Sequence, residues 1–209
     1  MAEPPYSIEE FWDIVSALAA DMQKCAAAHE AVVKAEEEES QGEWLGFWRR
    51  MCALTVFALI EGATYHLTYI AYVARNSREV VFSLRELETL EKAYDFDDEQ
   101  EVEPGLTQEQ MLERIKFAFN AFARVHYSDY ILPTQDAEWL QLKETFSIKA
   151  AISSPQLVRE LEVSDDDVTD LLQATAWFVQ CLVALTESCR DAAGAKVASW
   201  EAEKDEHIM

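Results

Sequence analysis

Residues 51–74 read Met-Cys-Ala-Leu-Thr-Val-Phe-Ala-Leu-Ile-Glu-Gly-Ala-Thr-Tyr-His-Leu-Thr-Tyr-Ile-Ala-Tyr-Val-Ala, with Arg49 and Arg50 before them and Arg75 after. Length alone admits a membrane span. Glu61 and His66 sit near the centre, however, and a mid-membrane carboxylate costs about 3 kcal/mol on insertion scales. Phe57, Tyr65, Tyr69 and Tyr72 suit the central helix of a bundle. Apolar residues fall almost all round this helix, so the expectation is a buried core helix starting near Glu43 or Trp44 and ending near Arg75.

Amphipathic helices are expected on both sides of it. Upstream, Ser7-Ile-Glu-Glu10 has capping-box chemistry, a hydroxyl with a carboxylate three residues on. Phe11, Ile14, Val15, Leu18, Ala19, Met22 and Cys25 then recur at helical spacing, fading into the solvated charge run Glu36–Glu39. Gln41-Gly42 marks the break before the central helix. Downstream, Ser83–Glu86 is another capping box, opening a short helix to about Ala93, and Thr107–Gln110 starts a longer one to about 126–130. Between them, 95–105 is acidic, ends in Pro104-Gly105, and reads as an exposed loop.

Another helix is expected from about Thr134 to Ile148, followed by a segment ending at Pro155. Ser164-Asp-Asp-Asp167 then caps the last helix, with three acids favoured by the N-terminal dipole. That helix reads to about Arg190, either ending there or running on into the tail, with 192–209 weakly apolar apart from Trp200 and open to fraying. Val80-Val81-Phe82 is the one strand-like scrap. The fold class expected is all-α: a single domain holding an antiparallel bundle of four long helices plus shorter ones, with 1–6 and 192–209 flexible.

Composition narrows the function. The chain has 209 residues, 40 acidic and 17 basic, for a formal net charge of −23. Such a surface repels nucleic-acid phosphates unless basic groups cluster locally. The acids are solvated helix faces, or a patch that meets a basic protein partner. Cys25, Cys52, Cys181 and Cys189 form no CxxC pair, and Cys181 and Cys189 are roughly 12 Å apart along one helix, too far for a disulfide. This usage and the absence of a signal-peptide pattern point to a reducing cytoplasm, with no membrane partner.

No phosphate loop, zinc spacing, EF-hand or nucleophile elbow occurs, so neither metal nor cofactor is expected. His29, His66, His126 and His207 are scattered, without the paired Glu-x-x-His of di-iron bundles. Glu61 needs a partner if buried. It accepts hydrogen bonds from Tyr, His or Arg groups of neighbouring helices, or it belongs to a polar cleft. Gly62 beside it weakens the helix unless another helix packs close. Arg75 and Arg78 either complement a helix C-terminus or contact an anion or RNA.

Phe57-Ala-Leu-Ile-Glu-Gly62, Leu142-Lys-Glu-Thr-Phe-Ser-Ile-Lys149, Ala-Ala-Ile-Ser-Ser-Pro155, Leu161-Glu-Val-Ser-Asp-Asp166 and Trp177-Phe178 together resemble the HEPN superfamily, over about residues 44–190. The resemblance implies a small helical bundle of a kind that includes metal-independent endoribonucleases of toxin–antitoxin and antiviral defence systems. In that family an Arg stabilises phosphate charge, and a His four to six residues on transfers protons. Here the Arg place falls on Lys149, the adjacent polar place on Ala150 and the His place on Ser154. Lys keeps charge but loses the bidentate fork, Ala cannot hydrogen-bond, and Ser has no proton to exchange near neutral pH.

The resemblance therefore implies an inactive, dimerising or regulatory component of an RNA-targeting system. It would form a homodimer and meet an antitoxin or other defence protein. Two alternatives stand beside it: an active or deliberately inactivated ribonuclease, the active form pairing Lys149 with His126, and an acidic helical adaptor for a basic protein.

Overall fold

A computed structural model describes residues 8–34, 41–75, 80–92, 107–153, 155 and 157–206. Ser7, Glu36–Glu39, Arg78, the 95–105 loop, Ser154 and His207 lie outside the described residues. The fold is an all-α helical bundle. Its helices are α1 (Ile8–Lys34), α2 (Gln41–Ala74), α3 (Leu84–Lys92), α4 (Gln108–Val125), α5 (Ala137–Ser153) and α6 (Asp165–Glu206), with a 3-10 turn at Val158–Leu161. No strand occurs among the described residues. Val80 and Phe82 are buried and Val81 points to solvent, a two-residue alternation without a partner strand.

Local chemistry sets the helix starts. The Ser83 N–H donates to Glu86 Oε2 at 2.8 Å, and the Glu86 N–H returns to Ser83 Oγ at 3.3 Å. Thr107 and Gln110 repeat the exchange at 2.8 and 3.3 Å, and Ser164 and Asp167 at 2.8 and 3.1 Å. Each box satisfies N–H groups that the helix itself leaves open. One helix outruns the sequence reading, and another takes the longer of its two readings. α5 carries through Lys149, Ala150 and Ala151 to Ser153, because alanines favour helix and the stop is Pro155. α6 continues past Arg190 to Glu206 through an Ala- and Glu-rich stretch.

The chain divides into two compact units. The first comprises residues 1–63, 107–112 and 133–178, and the second 64–106, 113–132 and 179–209. In the first unit, Phe57 of α2 packs on Phe146 of α5 at 5.5 Å between ring centroids, and Trp139 on Trp177 at 6.1 Å. A second cluster buries Cys52, Val163 and Val168, with Cys25, Ile148, Ile152 and Leu172 packed against it. Gly62 earns its place: a Cβ there meets Leu18 Cδ1 at 3.0 Å, so α1 and α2 approach closely.

In the second unit, Ala71, Val80, Phe82, Leu90 and Ala121 form a core. Arg124 ties it down, its guanidinium 2.8 Å from Glu86 and above the Phe82 ring at 5.5 Å. Burial raises the Glu86 carboxyl, but Arg124 and Ser83 outweigh it and hold the group below its ordinary value. α4 ends in a Schellman turn: the Ser128 N–H reaches Ala123 O at 2.9 Å, and Tyr127 takes φ 60°, where glycine is usual. The Lys196 ammonium sits 3.3 Å from the Tyr127 ring centroid and helps hold that ring.

α2 and α6 are long and apolar enough to cross a membrane, by length and composition alone. In the molecule about half of each apolar window is buried, 56% and 50%. That is how a bundle's core helix passes the same test.

Candidate functional site

Two ionic clusters occupy the first unit, and both use α2. At the α5 contact the Lys149 ammonium donates to the Glu61 carboxylate. Glu61 is therefore not a buried carboxylate: its side chain keeps 40% of its exposure, and Lys149's keeps 25%. The reason is register. Glu61 falls between the buried pairs Leu59-Ile60 and Ala63-Thr64, on a part of α2 that α5 only partly covers. Its partner is a lysine, not the Tyr, His or Arg expected from sequence.

The second cluster was not legible as a site. Asp165, first residue of α6, is gripped by Arg49 of α2 through Nε at 2.8 Å and Nη2 at 2.5 Å. His29 Nε2 of α1 lies 2.9 Å from the same carboxylate. Three helices are thus joined at one acid. The Arg49 hydrogen bond is the main reason the Asp165 carboxyl is held below its ordinary value; burial opposes it, and the His29 contact adds to the lowering. Beside it, Arg50 Nη1 donates to Leu161 O at 3.3 Å, fastening the 3-10 turn that leads into α6.

Signals for this cluster existed. His29 continues the α1 apolar stripe, four residues after Cys25, and is itself buried. Arg49 lies three residues before buried Cys52, so it starts on the inner face of α2. A charge or imidazole in register with a buried stripe requires a partner. Cys25 and Cys52 pack together in the buried cluster of the first unit. Burial, helped by the nearby Cys25, pushes the Cys52 thiol up to about 11, so it stays a neutral packing group at ordinary pH.

The remaining predicted residues fall elsewhere. Arg75 closes α2: Nη1 donates to Tyr72 O at 2.8 Å, and the guanidinium lies 3.6 Å above the Tyr72 ring. This is the C-terminal complement expected of it. His126 belongs to the second unit. It stacks on Phe122 at 4.3 Å, with Nδ1 2.9 Å from the Phe122 carbonyl. Burial lowers its pKa below 6.5, and the carbonyl contact opposes this only in part. Arg78 and Ser154 lie outside the described residues. Among the described residues no three His, Cys, Asp or Glu side chains gather as metal ligands would.

Comparison with family models, with curated proteins and with solved structures returns no match to this chain.

Proposed function

We propose that this chain is a HEPN-like helical domain without catalysis of its own, serving as a dimerising or regulatory component of an RNA-targeting defence or toxin–antitoxin system. The observation that carries the reading is the Lys149–Glu61 pair. Lys149 stands where the resemblance puts the phosphate-stabilising Arg. A cation already neutralised by a carboxylate has little left to offer a developing phosphate charge. Ala150 beside it supplies no hydrogen bond, and Ser154 at the His place supplies no proton near neutral pH. The net charge of −23 further weakens binding of an RNA backbone.

A nuclease built on Lys149 and His126 finds no support, since each group is engaged within its own unit. The test is incubation of purified protein with tRNA and total RNA at several pH values. Intact RNA is the expected result. Cleavage that tracks with the protein, and disappears in Lys149→Ala, overturns the inactive reading.

A further inference from the structure

Cys25 and Cys52 are the two cysteines of the first unit, and helix register brings them to one contact. Leu18 of α1 lies against Gly62 of α2. Further along α1, His29 shares the Asp165 carboxylate with Arg49 of α2. Residue numbers rise along α1 as they fall along α2, so the two helices run antiparallel here. Cys25 stands one turn before His29, and Cys52 one turn after Arg49. The two thiols therefore sit at one level of the contact, beside the Asp165 clamp, with Val163 and Val168 packed around them.

Their access differs. Cys25 is half-buried, whereas Cys52 is buried. Cys181 and Cys189 are buried too and belong to the second unit. We propose that Cys25 and Cys52 are a redox switch: a small peroxide oxidises Cys25, Cys52 resolves it, and the resulting disulfide locks α1 onto α2. A half-exposed thiol with a second thiol next to it is the arrangement such a switch requires.

The chemistry balances. The Cys25 thiolate attacks one oxygen of hydrogen peroxide, the O–O bond breaks, and hydroxide leaves, taking up a proton as water. Cys25 is then a sulfenic acid. The Cys52 sulfur attacks the Cys25 sulfur, the S–O bond breaks, and the hydroxyl group leaves with the Cys52 proton as a second water. Two thiols and one peroxide give one disulfide and two waters, the sulfurs losing two electrons to the peroxide. The high Cys52 pKa suits it to the second step, since a neutral thiol does not compete for the oxidant. The bond closes a loop over the 26 residues between the two cysteines, and a dithiol reductant opens it again. None of this depends on the HEPN-like reading.

The full-length folded chain tests it. After a stoichiometric dose of hydrogen peroxide, the tryptic map is expected to show Cys25 linked to Cys52, with Cys181 and Cys189 still alkylated as thiols. The Tm should rise by about 5–10 °C and return with dithiothreitol. Cys25→Ser should abolish the link. Cys52→Ala, which keeps the core apolar, should leave Cys25 as a sulfenic acid that dimedone traps. A disulfide needs Cα atoms within about 7 Å of each other, so a link that forms only in urea overturns the inference. So does a treated protein with both thiols free, a link to Cys181 or Cys189 instead, or a linked protein whose Tm is no higher than that of the reduced one.

Discussion

The Lys149 ammonium of α5 donates to the Glu61 carboxylate of α2, joining residues 88 positions apart. Both side chains retain contact with water, so solvent screens the pair and its worth is modest. Lys149→Ala and Glu61→Gln are each expected to lower stability by about 1 kcal/mol or less. A double-mutant cycle read by urea unfolding should give a coupling of about 0.5–1 kcal/mol. Additive single effects would show that the two groups do not act on one another.

Asp165 is the more consequential acid, because Arg49 and His29 both depend on it. Asp165→Ala removes the partner of two groups on other helices, but the Asp165 side chain is 55% exposed and solvent screens it, so the expected cost is about 1 kcal/mol. The pH dependence has a definite sign. The folded pKa lies below the ordinary 3.8, so the unfolded chain binds the proton more readily. The stabilisation is complete above about pH 4 and is lost as pH falls through the folded value. Urea midpoints between about pH 5 and pH 2 should therefore fall more gently in Asp165→Asn than in the wild type. Parallel slopes in the two proteins would refute this.

His126 titrates with the opposite chemistry and the same direction. Its folded pKa is lowered, chiefly by burial, so the unfolded chain takes up the proton first as pH falls below 6.5. Stability is full above that value and declines toward the folded pKa. A histidine NMR titration should place the His126 imidazole below 6.5. In His126→Phe the loss of Tm between about pH 7 and pH 5 should shrink without vanishing, since His66 is lowered by burial as well. An imidazole titrating at or above 6.5 would contradict the burial argument.

What could be read from sequence was what neighbours in the chain decide. The helix starts read at Ser83, Thr107 and Ser164 rest on residues three apart, and a helix opens at each. The apolar run at 51–74 announced the core helix for the same reason. Glu61–Lys149 and His29–Asp165 span 88 and 136 positions, and no local pattern pairs such groups. Sequence could flag that Glu61 needed a partner, but helix register chose which one. The end of α5 was misplaced because small residues before a proline resemble a turn, while alanine's helix preference carried the helix through Ala150 and Ala151. The exposure of Trp44, Phe47 and Leu54 on α2 escaped notice because an all-round apolar helix looks equally buried on every side.

Two helical glycines allow a direct comparison of propensity against packing. Gly194 in α6 has nothing beyond its own stretch of helix within 4 Å of the place a Cβ would take. Gly194→Ala should therefore stabilise the chain by about 0.5–1 kcal/mol, from helix propensity alone. Gly62→Ala has the same propensity gain but brings a methyl to 3.0 Å from Leu18 Cδ1. Leu18 must shift, and α1 with it if the side chain cannot turn aside. The expected order of Tm is Gly194→Ala above wild type, and Gly62→Ala below Gly194→Ala. Equal gains at both sites would mean that α1 and α2 are not held as closely as the Leu18 contact requires.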